Sequence, residues 1–176
     1  MNSRALAQCA LFTALMCVCA WISIPLGDMT FSMQTFALFL TLLLLGGKKG
    51  CIVCLLYLLL GAVGLPIFTG FRGGLGVLLG ATGGYIIGFL PAALLYWTAT
   101  QLFGERPPVC LSALVLGLAV CYVFGTVWFY TVYLGSSALG LSAVILKCVV
   151  PYLLPDGLKL ILALTLSSRL KLFLNR

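Results

Sequence analysis

Thr82-Gly83-Gly84-Tyr85-Ile86-Ile87-Gly88-Phe89-Leu90-Pro91-Ala92-Ala93-Leu94-Leu95-Tyr96-Trp97-Thr98-Ala99-Thr100-Gln101-Leu102 is a run of 21 residues without a charged side chain. An α-helix needs about 20 predominantly apolar residues to cross the hydrocarbon of a bilayer. The run ends at Gly104-Glu105-Arg106-Pro107-Pro108, where turn formers and charges return together. Working outward, apolar stretches of the same kind recur at 5–24, 31–45, 51–65, 109–134 and 155–174. The expected fold class is an all-α integral membrane protein, one domain over 1–176, with six transmembrane helices. The stretch 135–154 is looser, holding Gly135, Ser136, Ser137, Gly140, Lys147 and Pro151. It reads as a short or re-entrant helix lying over the others.

The composition agrees. Of 176 residues, 63% are hydrophobic and 7% charged, with 10 Lys+Arg, 3 Asp+Glu and no His. A soluble domain carries about 25% charged residues, so this chain has no polar shell. Disorder and a disulfide-stapled secreted module are excluded on the same ground. A histidine-based triad and a histidine-ligated zinc site are impossible. The chain is therefore not expected to be an enzyme. No G-x-x-x-x-G-K-[ST] occurs, and Gly74-Leu75-Gly76 neither follows a strand nor precedes a suitably spaced acid. No cofactor and no nucleic-acid partner are expected.

Charge placement orients the spans. With the N-terminus inside, Arg4, Lys48, Lys49, Arg106, Arg169, Lys171 and Arg176 fall on the inner side. The positive-inside rule then places both termini in the cytoplasm of a multi-pass plasma-membrane protein. The first apolar segment reads as a span, because no cleavage site and polar mature chain follow it. The outer side receives Asp28, Gln34, Arg72, Lys147, Asp156 and Lys159. Charge near membrane depth is costly, so these groups should be paired or functional.

Asp156 and Lys159 are three residues apart and share a helix face. They read either as a charge pair at a helix start or as a ligand clamp. The glycines of Gly70–Gly84 read either as close helix packing or as a loop closing over a ligand. Ala7, Ala10, Ala14 and Cys17 form a stripe of small residues on the first span. That stripe suits packing within the bundle or docking of a partner membrane protein. Cys51-x-x-Cys54 lacks further ligands nearby, and all eight cysteines read as small apolar packing residues.

Several runs together resemble the BioY family. They are Phe31-Ser32-Met33-Gln34-Thr35, Leu43-Leu44-Leu45-Gly46, and Tyr57 through Gly64-Leu65-Pro66-Ile67-Phe68. Leu79-Gly80-Ala81-Thr82-Gly83-Gly84-Tyr85 and Pro151-x-x-x-x-Asp156-x-x-Lys159 complete the set. The resemblance covers nearly the whole chain in order. It implies the biotin-binding S component of an energy-coupling factor (ECF) transporter, with six helices and biotin held near the outer surface. It further implies a T component docking on span 1 at Ala10 and Ala14, and two cytoplasmic ATPases that consume the ATP. Ligand residues are implied in the Gly-rich loop after span 3, at Gly83, Gly84 and Tyr85, and at Asp156 with Lys159. The sequence departs from the family pattern in having Pro155 before the Asp and Ala81 before Thr-Gly-Gly. Tyr85 stands where some members carry Arg.

Biotin's chemistry fits these residues. Asp156 can accept from ureido N–H groups through charge-assisted bonds. Lys159 can donate to the ureido oxygen or the carboxylate. Arg72, beside Gly73, is the outer-side cation for the carboxylate, with Tyr85 as another donor. Gln34, Phe68 and Tyr85 can wall the bicyclic ring. The competing reading is a stand-alone secondary carrier or facilitator of a small anionic vitamin. Such carriers often show two similar halves with helices broken at mid-membrane, and no such repeat is visible.

Overall fold

The computed structural model describes residues 2–26, 29–133 and 141–174. Asp28, Gly135, Ser136, Ser137, Gly140, Arg176 and the side chain of Lys147 lie outside that description. Chain order is α1 (Ser3–Trp21), β1 (Ser23–Leu26), β2 (Met29–Ser32), α2 (Gln34–Leu45) and α3 (Gly47–Ala62). Then follow α4 (Leu75–Leu78), α5 (Gly83–Phe103), α6 (Pro107–Trp128), a π-helical turn (Phe129–Tyr133), α7 (Leu141–Cys148) and α8 (Val150–Leu174). Among the described residues, four helices are long and apolar enough to cross a membrane: α1, α5, α6 with its π-helical extension, and α8. Helix α2 has 12 residues and α3 has 16, so each is shorter than a full crossing requires.

The charge-free run that opened the sequence reading is α5. Gly104 ends it at φ 81°, a left-handed conformation that favours glycine, and Pro107 stands in the first turn of α6. The resulting α5–α6 hairpin is the most extensive helix pair. A second single-residue corner at Gly46 (φ 77°) joins α2 to α3. Helix α3 packs on α1 and α5, and α2 packs on α8 and α1. One core joins these helices, centred on Phe39, Tyr57, Phe68, Met16 and Leu114.

Three expected boundaries are corrected. The Gly46-Gly47-Lys48-Lys49-Gly50 stretch is not a loop, because α3 already starts at Gly47. Its glycines permit close approach: a Cβ on Gly47 would collide with the Trp97 backbone and one on Gly50 with the Leu42 side chain. The last helix starts at Val150, not Pro155. A proline inside an apolar helix is tolerated where neighbouring helices hold it. Asp156 therefore sits in the second turn, away from the exposed N–H groups, which rules out the helix-start reading of the pair. Finally, 23–32 is neither the end of span 1 nor the start of span 2. It forms an antiparallel hairpin pairing Ser23 with Ser32 and Ile24 with Phe31. Within 135–154, the described portion holds α7 and the first turn of α8.

The loop after α3 is tied down at one end of the bundle. Trp21 Nε1 donates to the Pro66 carbonyl at 2.9 Å, and the Trp21 ring stacks on Phe71 at 5.0 Å. Phe68 N donates to the Arg72 carbonyl at 2.9 Å. These bonds bring the loop beside the hairpin, where the starts of α2, α5 and α8 also gather.

Candidate ligand-binding site

A cavity opens where these elements meet. Its apolar wall comes from Ile86 and Phe89 on α5 and Leu118 and Cys121 on α6. Its polar wall is Ser32, Gln34, Thr35, Tyr122, Asp156 and Lys159. Thr30, Thr69, Thr82 and Tyr152 line it at the loop end.

Asp156 and Lys159 are 4% and 5% exposed, so both charges are withdrawn from solvent. Two such charges are tolerable only when paired and hydrogen-bonded, and these are. Lys159 Nζ lies 2.6 Å from Asp156 Oδ1. It also donates to the Ser32 carbonyl at 2.6 Å and Thr35 Oγ1 at 3.1 Å, and sits 4.0 Å from the Phe31 ring centroid. Thr35 Oγ1 donates to Asp156 Oδ1 at 2.8 Å, and the Tyr122 hydroxyl donates to Oδ2 at 2.5 Å. A carboxylate has about four acceptor positions, so Asp156 keeps one free. The Tyr122 oxygen, having given its proton to Asp156, presents lone pairs as well. The cluster is thus rich in acceptors and suited to a ligand that brings N–H groups.

Gln34 is held by its neighbours. Its Nε2 donates to the Tyr57 hydroxyl, which donates to the Ile67 carbonyl at 3.2 Å. Ser32 Oγ donates to Gln34 Oε1 at 2.9 Å. Tyr85 lines the cavity, with its hydroxyl 3.1 Å from Thr126 Oγ1. Its ring lies against Gly125, where a Cβ would overlap it.

Of the residues expected at the site, Gln34, Tyr85, Asp156 and Lys159 line one cavity. Phe68, Arg72, Gly73, Gly83 and Gly84 do not, and the reasons are local. Phe68 is fully buried in the core, edge-on to Tyr57 at 5.3 Å and against Gly61. Arg72 contributes its carbonyl to the loop and leaves its side chain exposed. A Cβ on Gly73 would meet the Leu65 carbonyl, one on Gly83 the Leu78 carbonyl, and one on Gly84 the Trp128 side chain. These glycines serve close packing, and Thr69 is the residue of the loop that reaches the cavity.

Sequence reasoning missed Ser32, Thr35 and Tyr122. Tyr122 had a visible signal: a hydroxyl well inside a 22-residue apolar helix needs a partner. Among the described residues no cluster of three or more metal-binding side chains occurs. Cys51 and Cys54 are both buried and free.

On α1, Cys9, Thr13, Met16 and Cys17 face the core. Ala7, Ala10 and Ala14 are exposed, flanked by Leu6 and Leu11 at 61% and 67% exposure. The stripe is therefore split: Cys17 packs within the bundle, and the three alanines face away from it.

Long apolar helices around a mostly apolar cavity with one polar wall define a helical membrane protein with a pocket for a small ligand. The fold superposes on a crystal structure at 2.1 Å of the S-component for biotin from an ECF-type ABC transporter. The TM-score is 0.83 at 26% identity, covering 97% of this chain and 94% of that one. A second S component, of a bacterial ECF transporter, shares the fold with a TM-score of 0.65 at 16% identity, over 100% of both chains. The sequence matches the BioY family over residues 1–176, and the chain belongs to that family. It is 39% identical over 168 residues to the biotin transporter BioY of Thermotoga maritima, covering 96% of each chain. It is 34% identical to a probable biotin transporter BioY of Pyrococcus horikoshii, over 97% of this chain and 98% of that one. The protein is accordingly a multi-pass membrane protein with the S-component fold.

Proposed function

We propose that the protein is the biotin-binding subunit of an ECF transporter. It takes biotin from the outer side of the plasma membrane and delivers it inward with a T component and two ATPases. The observation that carries this reading is the acceptor-rich Asp156–Tyr122–Thr35 cluster, braced by Lys159, in the wall of a cavity otherwise mostly apolar. A cyclic urea fused to a thioether ring has the matching faces. Its N–H groups go to the free Asp156 position and the Tyr122 oxygen. Its sulfur ring lies against Ile86, Phe89 and Leu118. The second N–H of the Gln34 amide suits the ureido oxygen.

In this reading the bundle crosses the membrane six times with both termini inside, and α2 reaches full depth with the help of the β1–β2 hairpin. The bare alanines of α1 (Ala7, Ala10, Ala14) form the face on which the T component docks, since small side chains let a second helix approach closely. No chemistry on the ligand is required, so the protein acts as a carrier subunit and not as an enzyme.

Titration of the purified protein with biotin, followed by tryptophan fluorescence or calorimetry, tests the binding. A dissociation constant weaker than about 1 μM, or roughly −8 kcal/mol, would overturn it. Reconstitution in liposomes tests the coupling. Uptake by the chain alone, without partner subunits or ATP, would instead establish a self-sufficient carrier.

A further inference from the structure

We infer that the site accepts amides and esters of biotin's carboxyl group about as well as biotin itself. The inference rests on the biotin reading and adds a substrate class to it.

The argument is one of charge. Among the described residues, the charged side chains lining the cavity are Asp156 and Lys159, one of each sign. They neutralise one another at 2.6 Å. An ammonium has three N–H groups, and Ser32, Thr35 and Asp156 take all of those on Lys159. None is left for a ligand anion unless an existing bond is broken. Among the described residues, the remaining polar groups lining the loop end are neutral: Thr30, Thr69, Thr82 and Tyr152. Arg72 is exposed and off the lining. The sequence 134–140 carries no charge.

A carboxylate moved into apolar surroundings without a counter-charge costs several kcal/mol, and hydroxyl donors offset only part of that. The ligand's ring has a better place, at the acceptor cluster formed by Asp156 and Tyr122. The carboxylate is therefore held at the loop end in contact with water. A substituent on its carbon lies at the loop end, where among the described lining residues no cation reads the charge that the substituent removes.

The test is calorimetric titration of the full-length protein with biotin, biotin N-methylamide and biotinyl-lysine. The expected result is that both amides bind within about tenfold of biotin, and that raising the salt concentration moves all three affinities alike. Tight biotin binding with amides weakened by more than about tenfold overturns this inference alone. Absence of binding by biotin itself overturns the biotin reading, and this inference with it. Lys147→Ala closes the remaining route. A variant that loses biotin affinity while keeping the wild-type affinity for the amide would reveal a carboxylate-reading cation and refute the proposal.

Discussion

The cavity wall and the outward face of α1 belong to the same apolar bundle, and they solve opposite problems. In the wall, polar groups are buried and satisfied by one another: Asp156 by Lys159, Thr35 and Tyr122, and Lys159 by the hairpin carbonyl of Ser32. At Ala7, Ala10 and Ala14 on the outward face of α1 no polar side chain is at stake, and what matters there is the absence of bulk. In the proposed function, the first region recognises by hydrogen-bond direction and the second by shape. Mutations should separate the two cleanly.

The largest effect is expected at the ion pair. Asp156→Ala leaves Lys159 buried without its counter-charge, at a cost of about 3–5 kcal/mol to the folded state. Thermal unfolding in detergent measures this. Adding Lys159→Met should recover much of the stability and none of the biotin binding. A double variant no more stable than the single one would break the claim of mutual dependence.

Tyr122→Phe comes next. It deletes one donor to a carboxylate and leaves the fold in place, so biotin affinity should fall by about 1.5–3 kcal/mol. Wild-type affinity in this variant would remove Tyr122 from the site. Ala10→Trp and Ala14→Trp should leave biotin affinity unchanged and weaken assembly with a T component by about 1–3 kcal/mol, as overpacking does. Co-purification reports it. A loss of biotin binding there would erase the distinction between the regions. Arg72→Ala is expected to do least, below about 1 kcal/mol in affinity, since an exposed charge is screened by water and salt.

How far the sequence foretold this depends on the residue. The charge-free run 82–102 became α5 within a residue at either end, because backbone in lipid has few alternatives to a helix. The Asp156–Lys159 pair was legible because ionised groups are scarce in such a chain. Pro155 misled, since a proline that stops a helix in water need not stop one among packed neighbours. The hairpin was signalled by Gly27-Asp28 between β-prone residues, but long apolar helices on both sides masked it. Phe68 and Arg72 were misplaced for another reason. Which side chain of an irregular loop turns inward is decided by contacts such as Phe68 with Gly61, which no local pattern records.

The bond from Lys159 to the Ser32 carbonyl joins residues 127 positions apart. In biosynthetic order, the hairpin leaves the ribosome well before its partner. Until α8 has entered the membrane, the hairpin carbonyl lacks its cation, and the Thr35 and Tyr122 hydroxyls lack the carboxylate they donate to. The polar wall of the cavity is thus assembled only after α8 has been made and inserted, and a nascent chain that stops short of α8 lacks both of its charges.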